Sequence, residues 1–142
     1  MILSAVIARL RSAAMPPLRL VDGAAEFAAL DAPPALLPAA YVIPLDTTAA
    51  PNGLAAGGFR QRVQEGFGVV LLHRNLRDPQ GARAALDLAD GVIPAVRAAL
   101  MGWVPAPGWD QVELRAAGLT DIDEGVLAWR EEFVTATHLR TG

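Results

Sequence analysis

Two long stretches of the chain alternate in the way that β-strands do. The first runs from Phe59 to Arg74, which is far longer than the usual strand of about 5–6 residues. Its side chains are polar on both sides over residues 59–65 and apolar on both sides over residues 67–72. This pattern predicts a strand whose second half is buried and whose first half projects beyond the core. Gly66 and Gly68 fall between the two halves and indicate a bend or a close approach to the backbone.

The second long strand is predicted over residues 126–139. The apolar side of this strand carries Leu127, Trp129, Phe133 and Leu139. The other side is mixed and carries Val126, Ala128, Arg130, Glu132, Val134, Ala136 and His138. Such a strand packs a core on one face and meets water or another subunit on the other. Because neighbouring side chains alternate, Glu131 and Glu132 point to opposite faces and cannot act together as an acid and a base.

Helical spacing of apolar residues predicts three helices, over residues 2–13, 24–30 and 78–100. Asp78 followed by Pro79 is a strong helix start, and Pro94 should kink the long helix near Asp90–Gly91. The face of the long helix that we expect to lie on the sheet is formed by Ala82, Ala85, Leu86, Ala89, Ile93, Val96 and Leu100.

Short strands are predicted over residues 18–21, 40–45 and 112–117, with a flexible loop over 46–58. Pro44 cannot donate to a neighbouring strand, so the strand that contains it should lie at an edge or be bulged there. Strands 59–74, 112–117 and 126–139 can pair antiparallel. The expected fold is therefore α+β, a single domain over residues 1–142. A mainly antiparallel sheet with two long strands would pack against one long helix and one or two short ones.

Composition narrows the functional classes. The net charge of −3 and the absence of lysine, with all 12 basic residues being arginine, do not give the basic footprint of a free-standing nucleic-acid binder. The chain has no cysteine, which excludes disulfides and thiolate sites. We find no signal peptide and no apolar run of membrane-spanning length, and we expect a protein that is cytoplasmic when synthesised.

No group of residues predicts catalysis. Asp121, Asp123 and Glu124 lack the further oxygens of a calcium loop, and a solvated hairpin turn with Glu124-Gly125 at its tip accounts for them. His73 and His138 sit at strand ends, where surface positions are the default. The two serines both lie in the first helix, far from any histidine in sequence. We therefore expect no catalytic residue, no cofactor, no metal site and no enzyme activity.

The charged residues of the two long strands favour an assembly role instead. Arg60, Arg62 and Arg74 share one strand face, which suits an ion pair between subunits or a solvated surface better than a phosphate backbone. The loop over 46–58 would reach the neighbouring subunit or another partner. The predicted interface residues are Arg60, Arg62, Glu65, Arg74, Arg130 and Glu132, with Asn52 and Gly53 in the loop.

Several segments, in order, resemble phage tail terminator proteins of tailed phages, prophages and phage-like particles. They are AYVIPL (40–45), VVLLHRNLRDPQG (69–81), LMGWVP (100–105) and DIDEGVLAWREEFVTATHLR (121–140). These segments are spread over most of residues 1–140 and carry no invariant catalytic motif.

The resemblance implies a small α+β structural protein that forms a hexameric ring on the head-proximal end of the tail tube. The ring would stop tube polymerisation and offer a docking surface to the head–tail connector, while DNA crosses its lumen without sequence-specific binding. Its partners would be further copies of itself, the tube protein and the connector, with no membrane, and it would become part of the particle at the tail–neck junction. The alternatives are another neck or tail-completion protein of the same particles, or a small α+β ligand-binding domain or enzyme.

Overall fold

The computed structural model describes residues 2–78 and 80–141, with Thr141 described by its backbone alone. Pro79, which we expected to open the long helix, lies outside the described residues. The elements are, in order, α1 (Leu3–Ala13), β1 (Leu20–Gly23), α2 (Ala24–Ala28), β2 (Ala39–Ala49), β3 (Phe59–His73), α3 (Ala82–Asp87), a π-helical turn (Leu88–Val92), α4 (Ile93–Leu100), β4 (Glu113–Asp123) and β5 (Val126–Thr141).

The five described strands form one sheet in the order β1-β2-β3-β5-β4. β1 runs parallel to β2, and the other pairs are antiparallel. The two long strands, β3 and β5, pair in register without interruption from Phe59↔Thr141 to His73↔Leu127. The predicted α+β class, the mainly antiparallel sheet and the pairing of the two long strands are confirmed.

The sheet has two unequal faces. The main-helix face is covered by α1 and by the helix that runs through α3 and α4, and it holds the larger core, with Phe67, Val69, Leu71 and Phe133 nearly or fully buried. The rings of Phe67 and Phe133 stack there with their centroids 5.6 Å apart. The second face, called here the α2 face, is covered by α2 at one end only, where Tyr41 and Leu72 form a smaller cluster. Burial along β3 begins fully at Gly66, as its sequence pattern predicts.

Two predicted strand ends are wrong at the margins of the sheet. β2 continues to Ala49, so the first four residues of the predicted loop 46–58 are strand. β4 continues to Asp123, six residues beyond the predicted end at 117, and is exposed at nearly every position. The bulge predicted at Pro44 is confirmed by a register shift between Pro44 and Asp46, and the pairing of β1 with β2 ends before it, at Val42. The hairpin turn at Glu124-Gly125 is also confirmed, and both residues have positive φ angles.

The long helix starts at Ala82 rather than at residue 78, although Asp78 still accepts hydrogen bonds from the backbone N–H groups of Gln80 and Arg83. The distortion predicted ahead of Pro94 is confirmed as the π-helical turn. The predicted sheet-facing residues are wrong in the first half of the helix. Ala82, Ala85 and Ala89 are exposed and Leu86 is 59% exposed, whereas Ala84 and Leu88 are buried.

Candidate assembly surface

Four basic side chains meet where the β3–β5 ribbon projects beyond the helices. Arg60 pairs directly with Arg140, and Arg62 pairs directly with His138. Alternation along the strands puts all four on the α2 face of the sheet. Like charges directly opposite each other destabilise a strand pair. This basic end, defined by Arg60, Arg62, His138 and Arg140, therefore concentrates positive charge in a chain of net charge −3.

Little negative charge compensates the basic end. Among the residues that the structure describes, its one ion pair joins Arg62 Nη1 to Asp110 Oδ2 at 2.9 Å, and both side chains are at least half exposed. An exposed pair of this kind contributes little to stability. Partial desolvation, followed by the charges of Arg60, Arg62 and Arg140, lowers the pKa of His138 below its ordinary value.

The predicted loop residues stabilise the turn between β2 and β3 at the same end. Asn52 Oδ1 accepts hydrogen bonds from the backbone N–H groups of Leu54 and Arg60, at 3.2 and 3.0 Å. The Gly53 N–H donates to the carbonyl oxygen of Arg60 at 2.8 Å. Asn52 and Gly53 thus hold the loop against β3. The loop presents Leu54 to solvent, and Leu139 on β5 is half exposed nearby.

At the opposite end of β5, the β4–β5 hairpin carries an acidic tip of Asp121, Asp123 and Glu124. All three side chains are exposed, and within the described part of the chain none of them forms an ion pair. Asp121 and Asp123 lie beside Val126 and Ala128 on the α2 face. Arg74, which was predicted to share a surface with Arg60 and Arg62, follows β3 at this end. About 45 Å of strand separates the two ends, at about 3.3 Å per residue.

An apolar groove of about 440 Å³ lies beside the acidic tip on the main-helix face. It separates the first half of the long helix from the hairpin, because the helix does not extend over β4. Leu119 and Ile122 line its hairpin side and are 50% and 54% exposed. The helix side is lined by Ala82, Ala85, Leu88, Ala89 and Ile93, which include exposed residues of the predicted sheet-facing stripe.

Two of the predicted interface residues, Arg130 and Glu132, belong to an ion-pair network that crosses the α2 face. Arg115 on β4 donates to Asp46 on β2 at 2.9 Å and lies 3.5 Å from Glu132, which also pairs with Arg130 at 2.8 Å. The Asp46–Arg115 pair passes directly over Gly66, where a Cβ atom would collide with Asp46 Oδ1 and with the Arg115 guanidinium. The close approach predicted at the two glycines is thereby explained at Gly66. The hydrogen bond from Arg115 lowers the pKa of Asp46.

The remaining predicted residue, Glu65, lies on β3 between Thr47 and Thr135 and is half-buried. It lines a shallow depression with Ile2, Leu3 and Pro44. The structure thus brings Arg60 and Arg62 together, links Arg130 with Glu132, and leaves Arg74 and Glu65 apart from both groups.

Glu131 forms a buried site that the sequence reading did not identify. Its side chain is 0% exposed beneath α4, where Arg97 Nε and Nη2 donate to its two oxygens at 2.5 and 3.0 Å. Trp129 Nε1 donates a third hydrogen bond at 2.9 Å. The sequence does contain a sign of this site, because alternation along β5 places the Glu131 carboxylate on the same strand face as the apolar Leu127 and Phe133.

One of the two histidines, His73, is paired with a carboxylate. His73 is buried, so its expected surface position is wrong, and its Nε2 lies 2.9 Å from Asp87 Oδ2. This contact lowers the pKa of Asp87. The described residues contain no group of three His, Asp or Glu side chains that could hold a metal ion. No helix in the described ranges is both long and apolar enough to cross a bilayer.

One protein-family model matches nearly the whole chain. The family model described as "Phage tail terminator protein" matches residues 1–141. A chain in the solved structure "Virion of native gene transfer agent (GTA) particle" superposes with a TM-score of 0.60 at 19% identity, covering 96% of this chain and 93% of that one. This likeness shows a shared fold. No curated protein matches the chain.

Proposed function

We propose that this chain, which belongs to the phage tail terminator family, forms a ring on the head-proximal end of a tail tube and ends its polymerisation. The match over residues 1–141 is the observation that carries the proposal, because it spans the whole sheet and every described helix. A structural role in the tail of a phage-like particle follows from the family. The ring, its hexameric state and its contacts with the tube and the head–tail connector are the finer part of the proposal.

Features of the molecule support an assembly role. The β3–β5 ribbon projects past the core with charged residues on one face, and an uncovered apolar groove lies at the other end of the same strands. A ring needs two different patches on each copy, because a heterologous contact joins one patch to the other on the next copy. The charged face of the ribbon and the apolar groove are two such different patches.

DNA passage through the ring is part of the same proposal. A net charge of −3 suits a lumen that lets DNA slide, because dense basic lining would hold phosphates tightly. The ring would offer its other surface to the head–tail connector. The chain would be synthesised in the cytoplasm and remain in the finished particle.

Deleting the gene in its native host and imaging the particles by negative-stain electron microscopy tests the proposal. We expect overlong tails of variable length that are not joined to filled heads. The control is the same strain with the gene restored, which should return tails to one length. Tails of normal, uniform length without heads would instead favour another neck or tail-completion protein. Normal tails joined to heads would contradict a role in the tail altogether.

A further inference from the structure

The two ends of the β5 strand are complementary in both charge and polarity. On the α2 face, the basic end carries Arg60, Arg62 and Arg140, and the hairpin end carries Asp121 and Asp123. On the main-helix face, the basic end presents Leu139, which is 51% exposed, and the hairpin end presents the apolar groove. Each face of the sheet therefore has a matching pair of surfaces at its opposite ends.

We infer that the basic end of one copy of this chain docks onto the acidic tip and apolar groove of the next copy, head to tail. The inference rests on the proposed function and names the surfaces by which the ring would form. A contact between two different patches leaves one free patch of each kind on every pair, so further copies add until the rotation between them closes a ring. A self-complementary contact between two copies would instead stop at a dimer.

Repulsion between positive charges at the basic end favours binding of an anionic partner over exposure to water. The cross-strand pair Arg60↔Arg140 places two positive charges opposite each other, and Arg62 lies on the same face at the next pair, opposite His138. Asp110 compensates only one of the arginines among the described residues. Carboxylates from a neighbouring copy would relieve this repulsion and set the direction of docking, which is the role of charge complementarity at interfaces.

The hairpin end keeps an acidic surplus. Asp31 joins Asp121 and Asp123 around one depression on the α2 face, and Glu124 stands at the turn. Arg74, which follows β3 at this end, offsets one of these four carboxylates. The groove adds a non-polar contribution, because the half-exposed Leu119 and Ile122 would be removed from water on docking.

Charge reversal at each end, followed by mixing, tests the contact. We expect the wild-type chain to self-associate in sedimentation experiments at low salt and to dissociate as salt rises through ~0.5 M. The double variants Arg60→Glu/Arg62→Glu and Asp121→Arg/Asp123→Arg should each associate at least about tenfold more weakly, because each juxtaposes like charges. Both changes lie at exposed or partly exposed strand positions, so circular dichroism and melting temperature should change little.

Mixing the two double variants should restore association, because every contact in an alternating complex again joins opposite charges. A chain that carries all four substitutions should associate by itself for the same reason. Recovered association in these two experiments would show that each double variant is still folded and had lost only the contact between copies. Arg19→Glu/Arg83→Glu, which makes the same charge change at two exposed arginines elsewhere, should associate like the wild type. Ile122→Asp should weaken association through the groove alone.

Three results would overturn the inference: a wild-type chain that stays monomeric at low salt, double variants that associate normally, or a mixture that does not recover. If the Arg60→Glu/Arg62→Glu variant self-associates normally but no longer binds a short DNA duplex that the wild type binds, the basic end contacts DNA instead of a second copy. The proposed function fails separately. If deletion of the gene leaves tail length normal while charge-swapped chains recover association, the contact stands and the terminator role does not.

Discussion

At the scale of single residues, Glu131 is an ion held in a fully buried position. Three hydrogen bonds reach its two oxygens, two from Arg97 and one from Trp129. Burying a carboxylate is costly, and the attraction to a guanidinium repays the cost only when geometry is good and the oxygens are satisfied. The pair thus fixes the position of α4 over β5 more than it adds net stability.

Arg97→Met should destabilise the fold by about 3 kcal/mol, because it leaves the Glu131 carboxylate buried beside a single remaining donor. The double variant Arg97→Met/Glu131→Leu should recover more than half of that loss, since apolar replacement of both partners removes the buried charge. Urea unfolding measures both. Arg83→Met is the matched control and should change stability by less than about 0.5 kcal/mol. A loss that small for Arg97→Met would contradict the description of this site.

The pKa of Asp46 reports whether the ion pair over Gly66 exists in solution. Its folded-state pKa is lowered mainly by the hydrogen bond from Arg115, so the associated stability is present above the unfolded value of about 3.9 and is lost as pH falls through the folded pKa. In Arg115→Met the Asp46 pKa should rise towards its ordinary value, as followed by NMR titration. Gly66→Ala should raise it as well, because a Cβ would displace the pair. An unchanged pKa in both variants would rule the pair out.

At the scale of elements, the π-helical turn explains how Pro94 is tolerated within one continuous helix. Proline inside an α-helix removes a hydrogen bond and its ring collides with the carbonyl four residues earlier, at a cost of about 3 kcal/mol. Here the wider turn over Leu88–Val92 immediately precedes Ile93 and Pro94, and its i→i+5 hydrogen bonds replace the α-helical pattern just ahead of the proline ring.

Pro94→Ala should therefore change the free energy of unfolding by less than about 1 kcal/mol. The expected cost of proline has already been removed by the turn. Thermal unfolding with far-ultraviolet circular dichroism is a sufficient measurement. Stabilisation by about 3 kcal/mol would show that the proline still strains the helix, contrary to the geometry described.

The elements that the sequence predicts well are those whose pattern of apolar and polar residues is visible within the element itself. β3 and β5 were located to within two residues, because their alternation and length are visible in isolation. The predicted end of β4 is too early, because β4 is exposed at nearly every residue and is held by pairing with β5. No apolar periodicity therefore marks residues 118–123 as strand. The buried stripe of the long helix was misplaced because its first half faces a groove rather than the sheet.

The candidate surface was predictable only in part, for a similar reason. Arg60 and Arg62 could be placed on one strand face by alternation alone. Their opposition to Arg140 and His138 depends on the register of two strands far apart in sequence. The hydrogen bond between Arg115 and Asp46 joins residues that are 69 positions apart in sequence and crosses the intervening strands. No local sequence pattern predicts such a contact.

At the scale of the whole molecule, the described fold is a five-stranded sheet whose two long central strands, β3 and β5, extend beyond the helices that cover it. Covering only part of the sheet leaves a basic projection at one end and an acidic, apolar surface at the other. Such polarity is what a closed head-to-tail assembly requires of each copy.

The measurement that tests the central claim most directly is the length of tail tubes assembled with and without this protein. Purified tube protein from the same particle would be allowed to polymerise, and tube lengths would be counted in electron micrographs. We expect added wild-type chain to shorten the tubes in proportion to its concentration and to appear as a ring at one end only. The Arg19→Glu/Arg83→Glu control should act equally well. Tubes of unchanged length, with no additional density at either end, would contradict the account.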